Sequence, residues 1–321
     1  MKDHYEILPC ANEEQWHEKR IISGTVISAI MGRHRYVSRF KAFQMLTGRG
    51  DPFLGSYQTK RGTALEPVVA DEAMDVLGKK FEQCGMTVYR TTDRPWETVT
   101  PDYVNHDEQL GMEIKTHGSK MAHILGQGPM DHQVDQCQWA MAILGWRMSY
   151  LVIAVDDDQP KIIPIERDEE WIKAARNAAD AFYHDHVLPD TPPPADDSDD
   201  YADHLLEQHP HGEGERIEDD ENSPLAQMIF LYNEVSTKIG ALTKDKKLAG
   251  NQIREMLGDA KKGTTPIGSA SWYDKKATTP WKKVAEQLRS HIDDNLWKQI
   301  LAGVTKDGKV SRVLRVTYTG K

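Results

Sequence analysis

The sequence predicts an α/β fold, with a small mixed sheet flanked by helices and a small α+β module after it. Three observations predict this. Helical patterns fill residues 13–77, strand patterns dominate from Phe81 to Thr116 and from Met148 to Pro164, and a further helical stretch follows to Val187. Helices before and after a small sheet bury one another's apolar faces as layers. A sharp change of composition after residue 188 then sets the C-terminal part of the chain aside.

The elements follow in order. Glu13–Arg20 reads as a short helix, and Thr25-Val-Ile-Ser-Ala-Ile-Met as a second, stopped by Gly32. Val37–Leu46 is a third, ended by Thr47-Gly48-Arg49-Gly50. Thr59–Leu77 is longer, with Val68, Val69, Ala73, Met74 and Leu77 as its apolar stripe and Gly78 past its end. Strands are expected at Phe81–Arg90, Glu97–Thr100 and Leu110–Thr116. A helix over Met130–Leu144 ends at Gly145. Tyr150-Leu-Val-Ile-Ala lies in a buried strand, Met148–Val155, joined by Asp156-Asp-Asp-Gln159 to Pro160–Pro164. Glu166–Val187 is the next helix.

Residues 1–188 thus make one domain. Residues 189–222, with Pro192-Pro-Pro194 and acidic clusters, read as a largely disordered linker. Ser223-Pro224 is a cap followed by proline at the first helical position. That helix runs to Leu257, with breaks expected near Gly240 or Gly250. Residues 223–321 form the second module, with a strand at Ile267–Tyr273, a helix at Pro280–His291 and a strand at Arg312–Thr319.

Composition narrows the function classes. The chain has 321 residues, enough for a large domain and a smaller one. No stretch is long and apolar enough to span a membrane, and Met1-Lys-Asp-His-Tyr5 lacks the apolar run of a secretory signal. Three scattered cysteines, Cys10, Cys84 and Cys137, argue against a disulfide scaffold, a zinc ribbon or an iron–sulfur cluster. A cytoplasmic protein is expected. The net charge of −10 is unevenly spread: residues 190–221 carry 13 acidic side chains against one arginine, and residues 225–321 carry 18 basic against 9 acidic. The basic tail suits phosphate or partner contacts.

Chemistry centres on Pro101-Asp102 and Glu113-Ile114-Lys115. A strand ending at Asp102 would place its carboxylate beside the next strand. There Glu113 and Lys115, two apart, project together while Ile114 faces a core. Two carboxylates at one point bind a hard dication such as Mg²⁺, and a lysine beside it can hold an attacking water. This is the pattern of metal-dependent phosphodiester cleavage. Glu66, on the Thr59–Leu77 helix, can aim a third carboxylate there. Gln133 and Gln136 share a helical stripe, with Gln138 beside them, and glutamine can donate to a water or phosphate oxygen without adding charge. Arg20 and Thr25 stand before and at the start of a helix, an arrangement suited to an anion. The 13 histidines form neither HxxxH nor HExxH, and no glycine-rich phosphate loop is present.

In this order Trp16…Arg20, Gly24-Thr25…Gly32, Gly62…Glu66-Pro67, Pro101-Asp102, Glu113-Ile-Lys115 and Gln136-Cys-Gln138…Gly145 resemble the lambda exonuclease / YqaJ family of phage recombination nucleases. The resemblance covers roughly residues 12–188 and places them in the PD-(D/E)xK superfamily, with a restriction-endonuclease-like core. It implies that Asp102, Glu113 and the Ile114 carbonyl bind Mg²⁺, with Mn²⁺ as a substitute. Lys115 would position or activate the water, Glu66 would add a helix-borne acid, and Gln136 would support the centre. Arg20 and Thr25 would hold a 5′-terminal phosphate. The pattern departs at Tyr103, where glycine is usual, at Gln133, where tyrosine is common, and in the short spacing from Arg20 to Thr25.

The resemblance implies an exonuclease that digests the 5′-ended strand of linear duplex DNA and leaves 3′ overhangs for homologous recombination. It also implies a single-strand annealing protein as partner, a homo-oligomer such as a trimeric ring, and, for a phage-encoded chain, the bacterial host cytoplasm. Two other readings stay open: a structure-selective or restriction-type endonuclease of the same superfamily, and a non-catalytic DNA-binding module for recombination assembly.

Overall fold

The structure is a computed structural model that describes residues 4–50, 56–126, 128–211, 214, 217–274, 280–304 and 316. The chain divides into two compact units, Met1–His204 and Leu205–Lys321.

The first unit opens with a strand, β1 (Tyr5–Pro9), and helices α1 (Glu13–Lys19), α2 (Gly24–Ile30), α3 (Arg39–Leu46) and α4 (Tyr57–Leu77). Local sequence sets their ends. The side chains of Asn12, Ser38 and Ser56 accept from the backbone N–H three residues on, at the starts of α1, α3 and α4. Gly78 closes α4 in the left-handed conformation, at φ 63°. Next come β2 (Glu82–Gln83), β3 (Thr87–Thr91), β4 (Thr98–Val99), β5 (Tyr103–Asn105) and β6 (Leu110–His117). A short helix α5 (Ala122–Leu125) precedes α6 (Asp131–Leu144), which ends at Gly145 with φ 72°. Strands β7 (Met148–Val155) and β8 (Lys161–Glu166) lead to α7 (Glu169–Phe182), capped by Asp168, and one wider helical turn, Tyr183–Val187.

The main sheet has the order β2-β5-β6-β7-β8; β6 and β7 are parallel, and the other neighbours antiparallel. It is the mixed sheet that the sequence predicts. Side chains alternate across it. Met112, Ile114, Tyr150 and Val152 pack with Val69, Ala70 and Ala73 of α4. Leu151 and Ile153 face the other way, onto Cys137 of α6. A larger core lies around Trp139, Phe40, Phe43 and Phe182, joining α2, α3, α6 and α7. Helices therefore cover both faces.

Three differences from the sequence reading have physical causes. The expected strand Phe81–Arg90 is two strands, because Gly85 at φ 54° turns the chain from the main sheet into a second sheet of order β1-β3-β4. Asp102 does not end a strand: β4 stops at Val99, and Asp102 immediately precedes β5, which pairs with β6 from Tyr103↔Met112. Part of the expected linker is ordered on the first unit. Asp196 Oδ2 accepts from the Phe40 N–H at 2.9 Å, and a helix, α8 (Asp199–Gln208), sets Tyr201 edge-on against Phe40, ring centroids 4.9 Å apart. The acids there serve as caps and ion-pair partners, with Asp200 3.4 Å from Lys41.

The second unit contains α9 (Pro224–Leu257), a hairpin of β9 (Lys262–Thr265) and β10 (Gly268–Ser271), and helices α10 (Trp281–Arg289) and α11 (Asp294–Val304). α9 is continuous through Gly240 and Gly250, where a break was expected. Ser223 caps it and Pro224 occupies its first turn, as the sequence predicts. The first strand of the hairpin, β9, has no counterpart in the sequence reading, while β10 falls within the expected strand Ile267–Tyr273. The expected strand Arg312–Thr319 lies outside the described residues. Among the described residues from Leu205 onward, no apolar side chain is buried.

Candidate active site

The period-two alternation of β6 builds the site. Ile114 is buried against α4. Glu113 and Lys115 pair in register with Leu151 and Ile153 of β7, so they share the face turned to α6. Their side chains meet, with Lys115 Nζ 2.5 Å from Glu113 Oε1, and are 24 % and 12 % exposed.

Asp102 joins them through the backbone. Its Oδ2 accepts from the Ile114 N–H at 2.7 Å. Continuing the β5–β6 register past Tyr103↔Met112 sets Asp102 opposite Glu113 and Pro101 opposite Ile114. Pro101 has no N–H to offer a strand partner. The Asp102 carboxylate takes over the Ile114 N–H, and the Ile114 carbonyl, on the same edge of β6, receives no ladder bond from Pro101. The proline–aspartate pair thus ends the ladder and opens an edge lined with oxygen.

Glu66 reaches the same cleft from α4. Its Oε1 lies 3.4 Å from Gln83 Nε2. With Asp102, Ile114, Lys115 and Thr116 it lines an open cleft of about 370 Å³. Gly62 lets α4 come this close, since a Cβ there would lie 3.1 Å from Thr116 Oγ1.

Burial raises the pKa of Asp102 well above its ordinary value, and the neighbouring Glu113 adds to the rise. Burial also raises Glu66, with Glu113 contributing in the same direction. Burial works against the Lys115 ammonium, but Glu113 and Asp102 outweigh it and raise its pKa. The site is a set of carboxylates crowded at low solvation around one cation.

Arg20 and Gln136 close the site from the α2–α6 side. The Arg20 guanidinium stacks over Trp16 at 4.0 Å, and Trp16 is held by a 3.1 Å bond to Thr100 Oγ1. Burial lowers the Arg20 pKa, against the raising influence of Glu113 and Asp102. Gln136 Nε2 donates to Thr25 Oγ1 at 2.9 Å. Gly24 allows that approach, because a Cβ would fall 3.0 Å from Gln136 Cγ and 3.1 Å from its Cα. The Trp139 indole N–H donates to the Ile22 and Thr98 carbonyls, at 2.9 and 3.2 Å, and fixes the segment before α2. Two polar atoms here are buried without a hydrogen-bond partner among the described residues: Arg20 Nε, a donor, and Gln136 Oε1, an acceptor.

The structure also gathers residues that no motif singled out. His34 and His132 lie with ring centroids 4.6 Å apart, and Gln133 Nε2 meets His117 Nε2 at 2.9 Å. Burial and then Lys115 push His34 down to about 4. Burial and then His34 do the same to His132, also about 4. His117 is lowered by burial and Lys115. Behind them Asp135, fully buried, accepts from Ser28 Oγ at 2.8 Å and Arg33 Nε at 3.0 Å. His34 had no sequence signal, since its ring partner is about a hundred residues away. Gln138, read as polar helix surface or cleft lining, is instead structural. It donates to the Glu166 carbonyl at 2.6 Å and accepts from the Asp168 N–H at 3.0 Å.

The donors of this site suit a dication. They are hard oxygens, and Asp102 carries a charge that burial and Glu113 disfavour; a dication would relieve both. Among the described residues no group of three or more His, Cys, Asp or Glu forms a ready cage. Mg²⁺ needs none, since one or two carboxylates, waters and substrate phosphates complete its shell.

Residues 14–147, which hold every residue of this site, match the family described as the YqaJ-like viral recombinase domain. The chain carries a YqaJ-like domain. That match spans less than half of the chain. The uncharacterized protein YqaJ of Bacillus subtilis (strain 168) is 22% identical over 267 residues, covering 81% of this chain and 83% of that protein. Among solved structures, an alkaline exonuclease (LHK-Exo) from Laribacter hongkongensis is 22% identical, covering 54% of this chain and 91% of that one, with a TM-score of 0.46. LHK-Exo in complex with dAMP is 19% identical, covering 61% of this chain and 97% of that one, with a TM-score of 0.47. Residues 14–147 lie within the first compact unit, so the acidic cleft and the flanking Arg20 belong to the same unit.

Proposed function

We propose that the YqaJ-like domain is a divalent-metal-dependent deoxyribonuclease acting as an exonuclease on linear duplex DNA. The observation that carries this reading is the convergence of Asp102, Glu113 and Lys115 at the edge of β6 where Pro101 ends the ladder.

Asp102, Glu113 and the Ile114 carbonyl would hold Mg²⁺, with Mn²⁺ able to replace it. When bound, the ion supplies positive charge to the scissile phosphate and its leaving oxygen. Lys115 donates a hydrogen bond that holds the attacking water in line with the P–O3′ bond. That bond breaks as the new P–O bond forms; the attacking water gives up one proton to solvent, and the departing 3′ oxygen takes one up from solvent. Glu66, at the cleft wall, accepts from the water and steadies it. Gln136 holds Thr25 in place, and its buried Oε1 offers the centre an acceptor. Arg20 offers an unpaired buried donor and a cation, which suit a terminal phosphate. These roles support digestion from a 5′-phosphorylated end, leaving a 3′ overhang on which a single-strand annealing protein would load during recombination. A ring-shaped trimer around the duplex would make digestion processive.

The test uses linear duplex labelled at either end, with Mg²⁺. Early release of 5′ nucleotides, and at least tenfold faster digestion of 5′-phosphate than of 5′-hydroxyl ends, supports the reading. The preference should vanish in Arg20→Gln. Release from 3′ ends overturns the polarity. Cutting of covalently closed circles favours an endonuclease. Intact linear DNA, bound equally well by Lys115→Ala, favours a non-catalytic module.

A further inference from the structure

The turn between α2 and α3, residues 31–38, is locked from inside and carries three rings to the rim of the active cleft. Arg33 Nε donates to the buried Asp135 of α6 at 3.0 Å, and the Arg33 N–H donates to the Ser28 carbonyl at 2.9 Å. His34 Nδ1 accepts from the backbone N–H groups of Tyr36 and Val37, at 3.1 and 3.0 Å. A ring nitrogen that accepts carries no proton, so His34 is a neutral imidazole with its proton on Nε2. Its ring centroid lies 4.6 Å from that of His132 on α6. The Tyr36 ring stands edge-on to both, 6.0 Å from His132 and 6.3 Å from His34. The Arg35 guanidinium lies over the Tyr36 ring, 5.6 Å from its centroid. Burial first, and then the charge of Lys115, lower His34 to about 4; burial, His34 and Lys115 do the same to His132. Lys115 lines the active cleft, so the rings border it. Among the described residues of its own unit, the Tyr36 side chain is exposed.

We propose that Tyr36, propped edge-on by His34 and His132, is a stacking platform for an unpaired base of the strand that enters the active cleft. The proposal takes its substrate, DNA, from the nuclease reading. A cleft of about 370 Å³ admits a nucleotide rather than a base pair. A strand at a duplex end must therefore part from its partner to reach Asp102 and Glu113. Leaving the stack costs free energy, and an aromatic face restores the lost stacking whatever the sequence, because every base has a π-face. The local charges choose a base over a phosphate as the occupant. The two imidazoles are neutral at pH 7, and the cation between them and α6, Arg33, is already paired with Asp131 and Asp135. Arg35 sets one cation beside the Tyr36 ring, the combination of charge and aromatic face that holds single strands. The bonds that His34 accepts from the Tyr36 and Val37 N–H groups fix the backbone under the platform, so the ring is ordered before the strand arrives and less conformational entropy is lost on binding.

The test measures binding of the full-length chain to linear duplex DNA with Ca²⁺ in place of Mg²⁺. An abasic residue is placed in turn at each of the first few nucleotides of either strand. At one of these positions the missing base should weaken wild-type binding at least about fivefold, and should change binding by Tyr36→Ala less than about twofold. Tyr36→Ala should itself bind intact DNA at least about fivefold more weakly than wild type. Tyr36→Phe and Tyr36→Trp keep a ring and should bind as wild type does. Tyr36→Leu, apolar without a ring, should behave as the alanine variant. Equal abasic penalties in wild type and Tyr36→Ala at every position overturn the proposal, as does wild-type binding by Tyr36→Leu. Digestion with Mg²⁺ reports the nuclease reading separately. A chain that digests DNA without these differences loses the platform and keeps the nuclease. A chain that leaves DNA intact yet shows them keeps the platform and loses the nuclease, and a chain that does not bind DNA overturns both.

Discussion

Replacing Glu97 with Gln removes a carboxylate that is fully buried between two arginines, Arg94 at 3.8 Å and Arg176 at 3.4 Å. Burial pushes its pKa up from 4.5 to about 7, and the two arginines only partly offset this. In the unfolded chain the group titrates near its ordinary value. Between pH 4.5 and 7 the folded protein therefore holds a proton that the unfolded chain has lost, and stability falls as pH rises through that window. At about 1.4 kcal/mol for each tenfold change in proton affinity, the whole loss is about 3 kcal/mol. The arginines keep other partners in the variant. Arg94 lies 3.5 Å from Asp180, and Arg176 donates to the Ala142 carbonyl at 2.9 Å. Glutamine cannot ionise, so the variant lacks this slope. Urea denaturation at steps from pH 4.5 to 8.5 should show the variant gaining about 3 kcal/mol on the wild type as pH rises. Parallel stability curves for the two proteins across that range would refute the reasoning.

Gly24→Ala presses a methyl group on the Gln136 backbone and should cost about 1–3 kcal/mol, since the close atom is a Cα at 3.1 Å. It should also slow DNA digestion more than a destabilised but correctly packed control does, by shifting the Gln136–Thr25 contact; wild-type stability and rate together would count against it. Arg33→Gln leaves the buried Asp135 with Ser28 alone and should cost about 2 kcal/mol at pH 7. That cost arises from the ionised carboxylate and shrinks as pH falls and Asp135 protonates. Chemical denaturation at pH 7 and pH 4 checks both the size and the direction.

Much of the site was legible because its geometry is local. Glu113 and Lys115 are two residues apart on one strand, so period two alone sets them on one face. Their 2.5 Å contact and the burial of Ile114 follow from that spacing. The helices were legible through their apolar periodicity and glycine stops, and through Ser223 and Pro224 at the start of α9. The placing of Asp102 was not, because it depends on which strand pairs with β6. The sequence suggests a strand ending at Asp102, while the structure begins one just after it. β1 went unread because it is a short strand, half exposed, that needs β3 as a partner. The split at Gly85 was hidden because one glycine in an apolar run does not reveal a positive φ. The order of residues 189–204 also escaped, since an acidic, proline-rich composition does not show that Asp196 caps α3 or that Tyr201 packs on Phe40. The gathering of His34, His117 and His132 around Lys115 joins three distant segments, which no spacing rule connects.

The most direct test of the central claim is the digestion rate of linear duplex DNA with Mg²⁺, compared between wild type and Asp102→Asn. Asparagine can still accept the Ile114 N–H, so the strand edge survives, as circular dichroism and the melting temperature should confirm. The loss is then one of charge at the cation site. The account predicts Mg²⁺-dependent digestion by the wild type, abolished by chelation, and a rate at least about 1,000-fold lower in the variant. Digestion by Asp102→Asn at the wild-type rate would contradict it.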